Sequence, residues 1–245
     1  MLVGTADLEL LGRHAPRLPE FNAEPLVLDG VVCLQLTAEL PNSAREAVLP
    51  PALHPTVPAA LSIQVLKAAR SPWGELAMAT VRIACRSGVR ARGYTVGAVV
   101  NSQAAEGLTM NLGYPAQVGE VRLRHGYDGA EFSVHTEQGM IAALAAVDPE
   151  PMGQNDVQFT GTLNLAHTPL GLRLLQVESD CAPSQVERLT PGMLTFDGAG
   201  WGQPLLVPKL LVSCSVVVAP QWAFAPIRFV CKPDELAFTG TESVS

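Results

Sequence analysis

The chain has 245 residues, of which 48% are hydrophobic and 16% are charged, and its formal net charge is −7. This composition supplies material for a large buried core and excludes extensive disorder. The sixteen Lys and Arg residues are scattered, which argues against a nucleic-acid partner. No apolar run approaches the ~18 residues of a membrane helix, and the first residues lack a signal-peptide pattern. We therefore expect a cytoplasmic protein with no membrane partner.

The first residues predict an N-terminal arm, 1–25, because they carry three prolines and no sustained periodicity. The arm is expected to lie on the surface or on a neighbouring subunit. Residues 26–245 are expected to form one domain, since their composition shows no break. Short segments of β-branched or alternating apolar residues, bounded by turn residues, predict strands along this domain. These strands are expected at 26–37, 59–67, 75–85, 94–100, 118–123, 131–136, 159–165, 172–178 and 207–218.

Helical signals are few. One short helix is expected at 42–49, where Pro50 and Pro51 end it, and another at 103–110. Many short strands with little helix favour a sheet that closes on itself, because closure removes exposed edges. The sequence therefore predicts a mostly β fold, a closed antiparallel β-barrel or cone around an internal cavity.

The cysteines and histidines do not predict a cofactor. The five cysteines are far apart, without a CxxC pair, and the five histidines lack metal-ligand spacing. The glycines form no phosphate-binding loop. We therefore expect free, buried thiols, no metal site and no cofactor.

A short segment carries a resemblance to a known family. Residues 113–121 read GYPAQVGEV, which is similar to the acetoacetate decarboxylase signature, Gly-aromatic-Pro-Lys-Lys followed by a strand. Other landmarks follow in that family's order and at nearly its spacing: VLPPAL at 48–53, SPWG at 71–74, Asn101 ahead of the signature, and late β segments at 169–172 and 204–215. The resemblance covers roughly residues 26–220 and implies an acetoacetate decarboxylase-like β fold.

The family's mechanism shows which differences matter. A lysine amine, kept neutral by an apolar cavity and a neighbouring cation, condenses with the ketone of a β-keto acid. The resulting iminium accepts the electrons released as carbon dioxide leaves. By ungapped spacing, that lysine corresponds to Ala116, its cationic neighbour to Gln117, two cavity glutamates to Ile63 and Met78, and an arginine to Val31. Because alanine cannot form an imine, the resemblance implies that Schiff-base decarboxylation has been lost.

Three residues remain as candidates for chemistry. Gln117 is the main polar group of the expected cavity. Arg82 shares a predicted strand face with Met78, where it could hold a carboxylate or polarise a carbonyl. The alternative for Arg82 is an ion pair at the rim of the barrel. Lys67 is a candidate relocated imine-forming lysine, although its place at the end of a strand also suits a solvated charge.

Several functions remain open at this point. The expected substrate pocket favours a mainly apolar small-molecule ligand, and its lining residues are Val31, Ile63, Met78, Tyr114 and Ala116. One hypothesis is a non-covalent enzyme of specialised metabolism, of lyase or isomerase type, that directs a cyclisation, dehydration or isomerisation. The others are a non-catalytic binding or scaffolding homologue and a decarboxylase or aldolase that uses Lys67. A homo-oligomer is also expected.

Overall fold

The computed structural model describes residues 2–156 and 160–244. Strands predominate in these ranges, as the sequence predicted, and all of them belong to one sheet. The strands are β1 (Leu26–Glu39), β2 (His54–Pro55), β3 (Ala60–Ser71), β4 (Gly74–Ser87), β5 (Arg90–Val100), β6 (Ala116–Val118), β7 (Glu120–Gly126), β8 (Gly129–Thr136), β9 (Gly139–Pro151), β10 (Thr162–Thr168), β11 (Gly171–Val177), β12 (Ser179–Cys181), β13 (Gln185–Pro191), β14 (Thr195–Phe196), β15 (Leu211–Phe224), β16 (Phe229–Cys231) and β17 (Thr241–Ser243). The helices are α1 (Leu8–His14), α2 (Asn42–Val48), α3 (Ser102–Leu112) and α4 (Ala237–Gly240), and a 3-10 turn spans Gln154–Asp156.

The predicted elements are present, with boundaries that differ by a few residues. Helices α2 and α3 confirm the two predicted helices, and each predicted strand overlaps an observed one. Phe159, the first residue of the predicted strand 159–165, lies outside the described residues. Seven observed strands were not predicted: β2, β9, β12, β13, β14, β16 and β17. The longest of them, β9, was missed because its alanine-rich stretch has a low strand propensity. Pairing with β8 and β13 holds it extended. No helix in the described ranges has the length and apolarity needed to cross a membrane.

The sheet is open, so the prediction of a closed barrel was wrong. The main path of paired strands runs β17-β16-β11-β10-β5-β4-β3-β1-β15-β13-β9-β8-β7. Among the described residues, β7 pairs with β8 alone. Charged side chains line the β7 edge, since Arg122 is ion-paired with Glu120 and Arg124 with Glu131. Charged side chains at an edge strand hinder its pairing with another chain. The sheet therefore does not have to close into a barrel to protect this edge.

The N-terminal arm lies on its own chain. Helix α1 begins after Asp7, whose carboxylate accepts hydrogen bonds from the N–H groups of Glu9 and Leu10, at 2.8 and 3.3 Å. Further along, the N–H of Leu18 donates to the carbonyl of His167 on β10, at 2.8 Å. Leu18 is 2% exposed and belongs to the core. The arm is therefore part of the packed structure of this protomer.

Both faces of the central strands β1, β3, β4 and β5 are buried, because successive side chains of a strand point to opposite faces. We call one face the Ile63 face; its packed residues include Leu34, Leu36, Leu61, Ile63, Val65, Ala79, Val81, Ile83 and Cys85. We call the other the Met78 face; its packed residues include Val31, Cys33, Leu66, Ala68, Leu76, Met78, Ala98 and Val100. Helix α3 packs in this second core through Ala104, Ala105, Leu108 and Leu112.

Helix α3 packs against the turn at Trp73 without space for a side chain. A Cβ atom on Gly107 would lie 2.1 Å from Trp73 Cε2, whereas a Cβ on Gly12 of α1 would lie 3.5 Å from Leu172 Cδ2. We expect Gly107→Ala to lower the Tm, with a loss of about 1–3 kcal/mol from overpacking. Gly12→Ala is the matched control. It should keep or raise the Tm, because alanine is favoured over glycine by roughly 1 kcal/mol inside a helix. Thermal unfolding followed by circular dichroism measures both, and an unchanged Tm for Gly107→Ala would contradict the close contact.

Candidate functional site

The structure divides the predicted pocket residues between the two faces. Val31, Met78 and Tyr114 belong to the core of the Met78 face, and the half-buried Ala116 packs against it. Ile63 belongs to the core of the opposite face. Of the five predicted pocket residues, all except Ile63 therefore lie on the Met78 face.

The separation of Ile63 has a simple cause in strand geometry. Ile63 stands opposite Val81 in the β3–β4 pairing, whereas Met78 stands opposite Leu66. An offset of one residue moves a side chain to the other face of a sheet. Gln64, the next residue, stands opposite Thr80 and takes the place on the Met78 face that the sequence assigned to Ile63.

Two pockets of the structure lie away from these residues. Val31, Ile63 and Met78 are at most 1% exposed and are tightly packed. One pocket of about 690 Å³ lies between the ends of β3 and β4 and the strands β7, β8 and β9. Another of about 310 Å³ lies between the N-terminal arm and α3. Neither of these two pockets is lined by any of the five residues that the sequence predicted as a pocket lining.

Lys67 does not occupy a desolvated position. Its side chain is 46% exposed, and its Nζ lies 3.0 Å from Glu75 Oε1. It lines the larger pocket next to Ala77, a residue that packs against the core of the Ile63 face. Imine formation requires a neutral, desolvated amine. The half-exposed side chain of Lys67, which is ion-paired with Glu75, does not provide one. Lys67 is also separated by the sheet from the Met78 face.

Gln117 is exposed, and its side chain points to a neighbouring loop. Its Nε2 lies 3.4 Å from the carbonyl oxygen of Gly200. The polar group that the sequence expected inside the cavity is therefore at the surface.

Arg82 is the candidate that the structure places in buried surroundings. It is 8% exposed, and its Nη1 donates a hydrogen bond to Thr162 Oγ1 at 3.0 Å. None of the ion pairs among the described residues involves Arg82. The alternative of an ion pair at an exposed rim was therefore wrong.

The charge of Arg82 persists in this environment. Burial lowers its pKa, and the nearby Tyr114 and Cys33 oppose that shift. A guanidinium remains protonated in proteins even when its pKa falls. Burying such a charge without an opposite charge costs several kcal/mol, on the order expected for an ion in a low-dielectric interior. The site is consequently electropositive and suited to an anion.

Tyr114 brings a hydroxyl group to the same place. The side chains of Thr162 and Asn164 lie near this hydroxyl and act to lower the pKa of Tyr114. Burial raises the pKa of Tyr114, and the guanidinium of Arg82 opposes this less strongly. Tyr114 is therefore a neutral phenol that can donate a hydrogen bond at neutral pH.

The thiol of Cys33 is not a nucleophile at this site. Burial raises its pKa to about 12, although a hydrogen bond with Gln64 and the charge of Arg82 both act to lower it. The thiolate is the reactive form of cysteine. Cys33 thus remains a neutral, packed side chain beside Arg82.

Several buried polar atoms on the Met78 face have no hydrogen-bond partner among the described residues. They are Thr80 Oγ1, Arg82 Nε, Thr95 Oγ1 and Asn164 Oδ1. Buried polar atoms are nearly always hydrogen-bonded in folded proteins, so a cluster of exceptions indicates where a ligand or water supplies the partners. Sequence reasoning missed Thr95 and Asn164. Asn164 could have been found from the sequence, because its amide side chain interrupts the apolar strand TLNLAHT. A position at the surface does not explain an amide there.

The described residues do not form a metal site. No group of three or more His, Cys, Asp or Glu side chains within them is arranged to hold a metal ion. The polar groups around Arg82 are a guanidinium, hydroxyls and amides, which suit an organic anion.

No protein-family model and no curated protein sequence matches this chain. Solved structures do match it. Acetoacetate decarboxylase from Legionella pneumophila subsp. pneumophila str. Philadelphia 1 is 16% identical over 87% of this chain and 90% of that chain, with a TM-score of 0.69. The enduracididine biosynthesis enzyme MppR, complexed with the condensation product of pyruvate and imidazole 4-carboxaldehyde, is 15% identical over 84% and 88%, with a TM-score of 0.67.

A third similar structure is an acetoacetate decarboxylase-like enzyme from Sphingomonas wittichii RW1. It is 12% identical over 84% of this chain and 92% of that chain, with a TM-score of 0.64. Identities this low show a shared fold and leave the reaction to be argued from the site. The chain therefore has the acetoacetate decarboxylase-like fold that its GYPAQ segment predicted.

Proposed function

We propose that this protein binds a small organic acid non-covalently and acts on it as an enzyme, with Arg82 as the group that holds the acid. One observation carries the proposal: the guanidinium of Arg82 is buried, donates to Thr162 and has no carboxylate partner among the described residues. Tyr114 is near enough for the two charges to influence each other. Buried charges are normally paired, and a ligand anion is the partner that would satisfy this one.

The chemistry that this arrangement supports is stabilisation of negative charge on a ligand oxygen. Arg82 and the neutral phenol of Tyr114 are hydrogen-bond donors in a dry environment, where such donors stabilise an oxyanion most strongly. An isomerisation, dehydration or cyclisation that passes through an enolate or a carbonyl oxyanion fits these groups. The fold similarity to an enduracididine biosynthesis enzyme supports a role in specialised metabolism.

Imine chemistry is not part of the proposal. Ala116 stands where the family's signature has its lysine, and Lys67 lies on the far side of the sheet, ion-paired with Glu75. The proposal therefore assigns no role to a covalent intermediate on lysine.

Borohydride trapping tests this directly. We expect sodium borohydride with acetoacetate or pyruvate to leave the intact mass of the protein unchanged, because Ala116 has no amine. Intact-protein mass spectrometry measures the result. A stoichiometric adduct that peptide mapping places on Lys67 would favour the decarboxylase or aldolase alternative.

A non-catalytic binding or scaffolding function is the second candidate, and the tight packing of Val31, Ile63 and Met78 favours it. The two candidates differ in whether an organic acid binds near Arg82. Hexanoate is a suitable first probe, because it combines a carboxylate with the apolar chain that the sequence favoured. A protein that serves only as a scaffold should not bind it.

Two buried arginines provide a matched test of the role of Arg82. Arg92 is 7% exposed, and its Nη2 lies 2.6 Å from Glu178 Oε1. We expect Arg82→Met to keep or raise the Tm, because it removes an unpaired buried charge, and to abolish hexanoate binding in titration calorimetry. Arg92→Met should lower the Tm only modestly, because the carboxylate of Glu178 is 47% exposed and stays solvated, and should bind hexanoate as the unmodified chain does. A larger loss of Tm for Arg82→Met, or unchanged hexanoate affinity, would show that Arg82 is a structural residue.

We also propose a homo-oligomer in the cytoplasm. Four apolar side chains that are 57–59% exposed fall within one short segment: Leu205, Val207, Leu210 and Val212. Contiguous exposed apolar surface favours association. We expect at least a dimer by light scattering at micromolar concentration, and a monomer would count against this proposal.

A further inference from the structure

We infer that the pocket of about 690 Å³ over β7, β8 and β9 is a second binding site, which takes a singly charged organic acid with an apolar chain. A volume of this size is typical of small-molecule sites. Neither Arg82 nor Tyr114 lines this pocket. The inference therefore goes beyond the proposed function and does not rest on it. We call this pocket the β7–β9 groove.

Strand pairing arranges the outward side chains of the β7–β9 groove in two rows. Taken from β7 to β9, the rows are Arg122, Ser133 and Ala143, and Arg124, Glu131 and Ala145. Paired residues of neighbouring antiparallel strands point to the same face. Because neighbouring strands lie about 4.8 Å apart, the groove leads from two arginines to two alanines over about 10 Å.

The β7 end of the groove carries positive charge. The charged residues of its lining are Lys67, Glu75, Arg122, Arg124 and Glu131. Lys67 lies at this end of the groove, because β7 contacts β3 and β4. Arg122 is ion-paired with Glu120, which is not part of the lining. The lining therefore holds three cations and two carboxylates, and this excess of one positive charge suits a singly charged acid.

Arg124 can bind the acid without a change in its own position. Its side chain is exposed, and its Nε donates a hydrogen bond to Glu131 Oε1 at 2.8 Å. No hydrogen bond among the described residues engages Nη1 or Nη2 of Arg124. This edge of the guanidinium can therefore donate two hydrogen bonds to a carboxylate. Exposed ion pairs contribute little to stability, so a shift of Glu131 on binding would cost little.

The β9 end of the groove is apolar on the side that faces solvent. Ala143, Ala145 and Val147 point outward from β9, whereas Ala142 and Leu144 are buried in the core of the Ile63 face. An antiparallel strand with one solvated face normally alternates apolar and polar residues. This part of β9 is apolar on both faces, which is the pattern of a strand whose outward face is covered as well.

Met193 extends the apolar surface beyond β9. It lines the groove and is 90% exposed. It follows Gly192, whose N–H donates to the carbonyl of Ala145 at 2.9 Å. A methionine side chain is unbranched and polarizable, so it can pack along an apolar chain. An acid held by Arg124 would place its chain over Ala145 toward Met193, and a wholly hydrophilic acid would leave this end uncovered.

Decanoate is a suitable probe, because it combines one carboxylate with a chain long enough to cross the groove. We expect titration calorimetry to show that decanoate binds, and that it still binds to Arg82→Met, since Arg82 does not line the groove. Hexanoate covers only part of the distance from Arg124 to Met193. Its Kd for the groove should therefore be at least about tenfold higher, because fewer methylene groups lie on apolar surface.

Arg124 and Arg188 provide a matched pair for the charged end. Each is exposed and ion-paired with a glutamate of a neighbouring strand, Glu131 or Glu150, but Arg188 does not line the groove. We expect Arg124→Gln to raise the Kd of decanoate at least about tenfold, because hydrogen bonds between two charged groups are lost. Arg188→Gln should leave this Kd unchanged.

Two exposed methionines provide a matched pair for the apolar end. Met193 lines the groove, whereas Met140, which is 47% exposed on β9, does not. We expect Met193→Ser to raise the Kd of decanoate about fivefold, through loss of apolar contact, and Met140→Ser to leave it unchanged.

The outcomes separate this inference from the proposed function. Absence of decanoate binding, or equal effects of Arg124→Gln and Arg188→Gln, overturns the inference and leaves the proposed function standing. Loss of decanoate binding in Arg82→Met alone overturns it in favour of the site at Arg82. A second copy of the chain is the alternative occupant of the groove. If decanoate does not bind, and light scattering shows that Met193→Ser but not Met140→Ser dissociates an oligomer, the groove is a subunit interface and the inference is wrong.

Discussion

Burial of both faces of β1, β3, β4 and β5 is the constraint on which the rest of the structure depends. The middle of each strand supplies alternate residues to two different cores, so a polar side chain there is buried on one face or the other. Helix α3 and Tyr114 cover one face, and strands β7, β8 and β9 pack over the other. The position of every site residue follows from this alternation.

The alternation also explains what the sequence could predict. Within one strand the faces follow from period two alone, so the shared face of Met78 and Arg82 was predictable and is confirmed. Between strands the register depends on long-range pairing and bulges. The β3–β4 register shifts between Ala68 and Ser71, and the β4–β5 register shifts between Val81 and Arg82. Ungapped spacing cannot account for such shifts, and it therefore placed Ile63 on the wrong face. Whether the sheet closes into a barrel also depends on long-range pairing, because closure would require β7 to pair with a second strand. The sequence alone does not determine this pairing.

Arg82 is unusual among the buried cations of this chain. Arg92 is paired with Glu178, and the half-buried Arg173 is paired with Glu242 at 2.7 Å. Arg82 has only the hydroxyl of Thr162 as a hydrogen-bond acceptor among the described residues, and its Nε has no partner. A structural role would normally be served better by an apolar side chain of similar volume. A buried, unpaired guanidinium costs stability, and this cost supports the proposed role of Arg82 in binding an anion.

An alanine at position 116 and a buried arginine at position 82 differ in how each could take part in stabilising negative charge. An iminium stabilises an electron-rich intermediate through a covalent bond, which requires an amine that can lose its proton. A guanidinium cannot lose its proton and is a poor nucleophile, but it stabilises a neighbouring oxyanion without any covalent step. The low dielectric of the Met78 face strengthens this stabilisation, and the neutral phenol of Tyr114 adds a second donor. A buried guanidinium can therefore stabilise an electron-rich intermediate without a lysine, provided that it lies next to the oxygen that carries the negative charge.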